Sequence, residues 1–245
     1  MLAACGRFGF GSADGDGGTG DLASGDVGEV GIADAPGDAM PGVDAMPCAG
    51  TAHLFTDNFD DNTFNATTWG NSYEDSSSRH VEANGRLEIR IGANDADDWA
   101  GYVSSTAYQL EDDRVFVEVP AVNAQPGNTI MLLWTSLAKT DGPSIEHEGP
   151  RLVFRRRVND NINDLAFVTY NAIAHRWWQI RERNGTTFWE TSPDGQTWTL
   201  QHQQTTPGAT TAIITLAAGS SAANPVTDLA AFDNLNGGGA PPLCP

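Results

Sequence analysis

The sequence predicts an all-β fold, an antiparallel two-sheet β-sandwich over residues 49–245, carried behind a disordered N-terminal tether. Three observations predict it. From residue 54 onward, short apolar runs alternate with a period of two and are separated by turn residues, the pattern of sandwiches. No segment keeps an apolar 3.6-residue period for more than two turns, so little helix is expected. The first 48 residues hold 12 of the 27 glycines and 8 of the 32 acidic residues, with Arg7 as the sole basic one and no aromatic between Phe10 and Phe55. Such a stretch cannot bury enough apolar surface to offset its chain entropy.

The elements follow in order. Residues 6–48 read as an extended, self-repelling acidic coil, stiffened near its end by Pro36, Pro41 and Pro47. Leu54, Phe55 and Phe59 are expected in a first strand or at its edge. Val81 to Ile91 reads as a hairpin turning at Asn84-Gly85, with Leu87, Ile89 and Ile91 pointing inward. Arg114 to Val119 places Val115, Val117 and Val119 on one face. Thr129 to Leu137 is a nearly continuous apolar run, as in a central strand covered on both faces. Arg151–Val158 and Asp164–Tyr170 form an expected antiparallel pair. Arg176–Arg183 and Thr186–Ser192 pair through Asn184-Gly185, and Asp194-Gly195 turns the chain toward Trp198 and Leu200. Ile213–Leu216 and Leu229–Leu235 close the sheets.

Charge narrows the function. The net charge is -19, with one basic residue against eight acidic ones up to residue 48 and twelve against twenty-four beyond it. A chain this acidic does not hold a phosphate backbone by bulk electrostatics, so no nucleic-acid partner is expected. An anionic membrane surface repels it as well. No apolar run reaches the 18 residues of a spanning helix.

The three cysteines sit at telling places. Leu2-Ala3-Ala4-Cys5 resembles a bacterial lipobox, and the Gly/Asp/Ser tether that follows is similar to those of surface lipoproteins. The resemblance implies an extracytoplasmic protein of the outer membrane or cell surface, touching the membrane only through a lipid on Cys5. Cys48 and Cys244 bracket the expected domain, and the ends of a sandwich commonly lie close together. In an oxidising compartment they are expected to form a disulfide. Closing a loop of about 195 residues contributes on the order of 4–5 kcal/mol in the chain-entropy estimate.

The most distinctive stretch runs from His175 to Trp198. It contains Trp177-Trp178, an Arg-bearing strand, the Asn184-Gly185 turn, a second strand, and the corner Ser192-Pro193-Asp194-Gly195-Gln196-Thr197-Trp198. Together with Asp57-Asn58-Phe59-Asp60-Asp61 and Phe232-Asp233-Asn234-Leu235, it resembles the concanavalin A-like lectin/glucanase (LamG-like) sandwiches of exported bacterial proteins. The resemblance implies a jelly roll and a carbohydrate ligand, and the fold hosts both lectins and glycosidases. Alternation puts Trp178 and Ile180 on one side of their strand, and Trp177, Gln179 and Arg181 on the other. Two readings stay open. Both tryptophans belong to the core, or Trp177 is a sugar-stacking platform with Gln179 and Arg181 binding ring hydroxyls and Trp134 and Arg155 as neighbours on the same sheet.

Catalytic motifs are missing. The Glu-x-Asp-x-(x)-Glu strand of the glucanases is not found. Glu146-His147-Glu148 is the nearest cluster, and its Gly/Pro flanks read as a loop; Asp95, Asp97 and Asp98 precede Trp99 in a turn-rich segment. The lyase pattern, a Gly-x-Ser-x-Gly elbow, a phosphate loop and a zinc motif are missing as well. The expectation is a non-catalytic carbohydrate-binding module. The alternatives are a glycoside hydrolase whose acid pair comes from distant strands, and a structural or protein-interaction module. The resemblance also implies a structural Ca2+ where the first and last strands meet, with Asp57, Asp60 and Asp233 as oxygen ligands; ordinary turn carboxylates are the other reading.

Overall fold

The computed structural model describes residues 48–93, 96–122, 129–136, 141–159, 161–205, 211–223 and 226–237, without the side chains of residues 71, 129–132 and 134–136. The tether, Cys5, Asp95 and Cys244 lie outside the described residues. In chain order the strands are β1 (Asn71–Glu74), β2 (Arg79–Ala83), β3 (Arg86–Ile91), β4 (Asp98–Val103), β5 (Tyr108–Gln109), β6 (Arg114–Ala121), β7 (Thr129–Ser136) and β8 (Gly142–Glu148). They continue as β9 (Arg151–Val158), β10 (Asn161–Thr169), β11 (Trp177–Arg183), β12 (Thr186–Ser192), β13 (Thr199–Thr205), β14 (Thr211–Ser220) and β15 (Asp228–Asp233). Among the described residues the helical content is one 3-10 turn, Ala52–Leu54. The first strand expected around Leu54 and Phe59 is therefore that turn followed by a single bridge, Asp57 to Leu235.

The strands form two antiparallel sheets. One has the order β1-β4-β14-β7-β8-β9-β10, with β5 beside β14; the other runs β13-β12-β11-β6-β15-β3-β2. Two hairpins turn where the sequence places them. Asn84 and Gly85 adopt φ of 59° and 67°, and Asn184 and Gly185 adopt 50° and 73°. Positive φ at both central residues matches the right-handed strand twist, and Asn-Gly adopts it at least cost. The run from Thr129 becomes β7, the central strand between β14 and β8.

The core lies between the sheets. Leu87, Ile89, Val115, Val117, Trp178 and Ile180 of one sheet meet Tyr102, Leu133, Ile145, Phe154, Ile214 and Leu216 of the other. Trp69, Trp178 and Trp189 are fully buried, and each indole N–H has a partner: Asp57 Oδ2 at 2.7 Å, His175 O at 3.0 Å and Ser144 O at 2.9 Å. A buried indole without one would cost about 1–3 kcal/mol.

Candidate functional site

Trp177, Gln179 and Arg181 do share the outer face of their strand, since Trp178 and Ile180 point into the core. Yet Trp177 is only 7% exposed. The Ser192–Trp198 corner folds back over it, and a Cβ added to Gly195 would stand 3.0 Å from the indole. Asp194 builds that corner by accepting the N–H groups of Gln196 and Thr197 at 2.9 and 2.7 Å. These bonds, the Thr197 N–H foremost, bring the Asp194 pKa down to about 2. Phe116 lies between Trp177 and Trp198, with ring centroids 6.1 and 5.8 Å away. Gln179 donates to Glu190 at 2.6 Å, and Arg181 grips the same carboxylate through two bonds of 3.0 and 2.9 Å while its guanidinium lies over Phe188. Trp177 therefore offers no open ring face, which corrects the platform expectation: the ring is the base of a small apolar cluster under the corner. The expected neighbours are also elsewhere, because β7 with Trp134 and β9 with Arg155 belong to the eight-stranded sheet.

The outer face of that eight-stranded sheet holds a denser polar array. Glu146-His147-Glu148 lies in β8 and not in a loop, which is a second correction. Ile145 enters the core, so Ser144, Glu146 and Glu148 alternate outward. Arg155 is the cross-strand partner of Ser144 on one side and of Asp164 on the other. Its Nη1 donates to Glu146 Oε2, its Nη2 to Glu148 Oε2 at 2.8 Å, and its Nε to Asp164 Oδ1 at 2.5 Å. Ser144 Oγ donates to the other oxygen of Glu146 at 2.7 Å. Burial would lower the Arg155 pKa, but Glu146, Asp164 and Glu148 outweigh it and hold the guanidinium firmly charged. Trp134 occupies the register position opposite Ser144 on β7.

Tyr73 pairs with Gly101 at one end of the sheet, while Arg157 lies on β9, five strands away. Burial, with Asp75 adding to it, raises the pKa of the Tyr73 phenol. Between them Trp99 lies flat against Gly219, where a Cβ would come within 2.4 Å of the ring. Most of this floor is buried, Glu146 to 1% exposure. The accessible part lies over β8–β10, where Phe167, the cross-strand partner of Val153, is 61% exposed. The alternation of Ser144, Glu146 and Glu148 was the signal in the sequence for this array; the Pro and Gly residues around it masked the strand.

The expected calcium ligands are not gathered. Asp57 accepts the N–H of Phe59 and the indole of Trp69, Asp60 accepts Asn58, and Asp233 accepts the N–H of Asn234. Burial, with the Glu118 and Asp60 charges, pushes Asp233 up to about 6. Among the described residues, the one set of His, Cys, Asp and Glu ligand atoms within 4.8 Å of one another is Cys48, His53 and Asp113. Asp57 instead lines a polar pocket of about 540 Å³ with Asp61, Asn65 and Asn234.

Compared with models of protein families and with curated proteins, the sequence matches none. Solved structures share its fold. A β-glucanase from Bacillus licheniformis superposes with a TM-score of 0.54 at 16% identity, over 74% of this chain and 94% of that one. A prokaryotic β-1,3-1,4-glucanase (lichenase) from a mouse hindgut metagenome gives 0.54 at 12% identity, over 74% and 96%. A native glycosidic hydrolase gives 0.54 at 10% identity, over 76% and 96%. The fold is therefore the concanavalin A-like jelly roll of these glucanases.

Proposed function

We propose that the domain binds a neutral polysaccharide of the β-glucan class on the outer face of the eight-stranded sheet, and holds it without cleaving it. The Arg155 clamp carries this reading. Glycoside hydrolysis needs one carboxyl to deliver a proton and a second to act as base or nucleophile. Glu146 and Glu148 share a face, but one guanidinium binds both, and the second oxygen of Glu146 is taken by Ser144. Both oxygens of Glu146 and one oxygen of Glu148 are thus engaged. The same array suits hydroxyl groups, which pair with carboxylates and guanidinium alike. The acid excess of the chain disfavours an anionic glycan. Two proteins that share the fold are β-glucanases, which supports a glucan as the ligand.

The reading extends to an exported protein, anchored by a lipid on Cys5 and closed by a Cys48–Cys244 disulfide. Cys48 opens the described part of the sandwich and Cys244 lies at the other end of the domain sequence, which supports that pairing. The test is calorimetric titration of the protein with mixed-linkage β-glucan, with reducing ends assayed in the same samples. Saturable binding without new reducing ends is expected. New reducing ends, or no binding to any glucan of a β-1,3, β-1,4 and mixed-linkage panel, would overturn the proposal.

A further inference from the structure

We infer that Phe167 on β10 is the stacking platform of this face, the point at which one pyranose ring of the ligand lies on an aromatic ring. The inference rests on the glycan-binding reading and names the residue that anchors the sugar. Phe167 shares the outer face with Arg155, because its cross-strand partner Val153 is two residues from Arg155 on β9. Val153 is fully buried but is not part of the inter-sheet core, so Phe167 stands over a solid base. Among the described residues Trp99 shares the face but is buried, and Tyr73 is half-buried.

The surroundings of the ring distinguish it from an ordinary exposed apolar residue. The Arg151 guanidinium lies 5.3 Å from its centroid and 3.5 Å from Glu148. Cation–π contact fixes the ring while leaving guanidinium N–H groups for a ligand oxygen. Asp164, half exposed, stands on the same strand beyond the bulge between Asp164 and Ala166, and it is already oriented by Arg155. The ring thus has a donor in Arg151 and acceptors in Glu148 and Asp164. The axial C–H face of a pyranose can cover the ring while its hydroxyls reach those groups.

The experiment compares the parent, Phe167→Ala and Phe167→Trp by calorimetry with mixed-linkage β-glucan, and each by thermal unfolding and sedimentation. By analogy with base–aromatic stacking, Phe167→Ala is expected to weaken binding about 5- to 150-fold. Phe167→Trp is expected to keep it, and both variants to unfold at the parent temperature. If the parent binds glucan and Phe167→Ala binds equally well, the platform is elsewhere and the glycan-binding reading stands. If the parent binds no glucan, both fall. A concentration-dependent dimer that Phe167→Ala abolishes would assign the ring to a second copy of the chain and overturn the inference.

Discussion

Trp189 on β12 donates its indole N–H to the carbonyl oxygen of Ser144 on β8 at 2.9 Å, joining the two sheets behind the polar array. Ser144 uses its backbone toward the core and its hydroxyl toward Glu146. One residue thus couples packing to the site. Trp189→Phe keeps most of the ring volume and removes the donor, leaving a buried carbonyl short of a partner. A loss of about 1–3 kcal/mol is expected in urea unfolding, with an unchanged m-value. Unfolding at the parent midpoint would show that the bond contributes nothing.

Arg155 is bound to three carboxylates, and Glu146 among them is fully buried. Arg155→Leu leaves that charge uncompensated, so a cost of about 3–5 kcal/mol is expected. Removing both partners in Glu146→Leu/Arg155→Leu removes the orphan as well. The double variant is expected to be more stable than Arg155→Leu alone, a non-additivity that a double-mutant cycle reads directly. Strict additivity would mean that the two groups do not depend on each other.

The pH dependence of stability has two opposing parts. Burial pushes Glu82 up to about 7, with Asp57 and Asp61 adding to it against the Tyr102 hydroxyl and the Thr63 N–H. Its unfolded value is near 4.5. Between those values the folded state holds a proton that the unfolded chain has released, so this group's contribution falls as pH rises from 4.5 to 7. Burial pushes His147 down to about 4, with Asp228 opposing. There the unfolded chain binds the extra proton between 4 and 6.5, and stability is lost as pH falls through that window. Each shift corresponds to on the order of 3 kcal/mol. Glu82→Gln is expected to match the parent near pH 4.5 and to exceed it by up to about that amount at pH 8. A difference that does not grow across this range would show that Glu82 releases its proton as freely as in the unfolded chain.

The sheets were legible in the sequence wherever a strand has one wet face or a strong turn. Asn84-Gly85 and Asn184-Gly185 fixed two registers, because Asn and Gly tolerate the left-handed backbone that the hairpins require. Strand β8 was not legible. Its inward positions hold Pro143, Ile145 and His147 and its outward ones hold Ser144, Glu146 and Glu148, so apolar alternation is faint. What makes the segment a strand is pairing with β7 and β9 on both sides, a long-range effect that local propensity does not carry. The same limit explains Trp177. Alternation put it correctly on the outer face, but its burial depends on a corner 18 residues downstream folding back onto it. Alternation also could not show that β9 and β11 belong to different sheets, and so it joined Arg155 to Trp177.

That burial changes what Trp177 does when it is removed. The indole is packed under Gly195, whose φ of 71° already favours glycine. Trp177→Ala leaves a cavity beneath the corner, so a loss of about 3–5 kcal/mol is expected in place of a loss of affinity. Gly195→Ala forces a Cβ to 3.0 Å from the ring in a strained backbone region. It is expected to cost about 1–2 kcal/mol on its own. In Trp177→Ala the added methyl has room, so the second substitution should cost less there than in the parent, with the backbone strain remaining. The measurement is the four-member cycle in urea, with β-glucan affinity followed in parallel. Affinity is expected to hold in all folded variants, because the proposed site lies on the other sheet. A Trp177→Ala protein that stays as stable as the parent but loses glucan would return the binding site to the seven-stranded sheet.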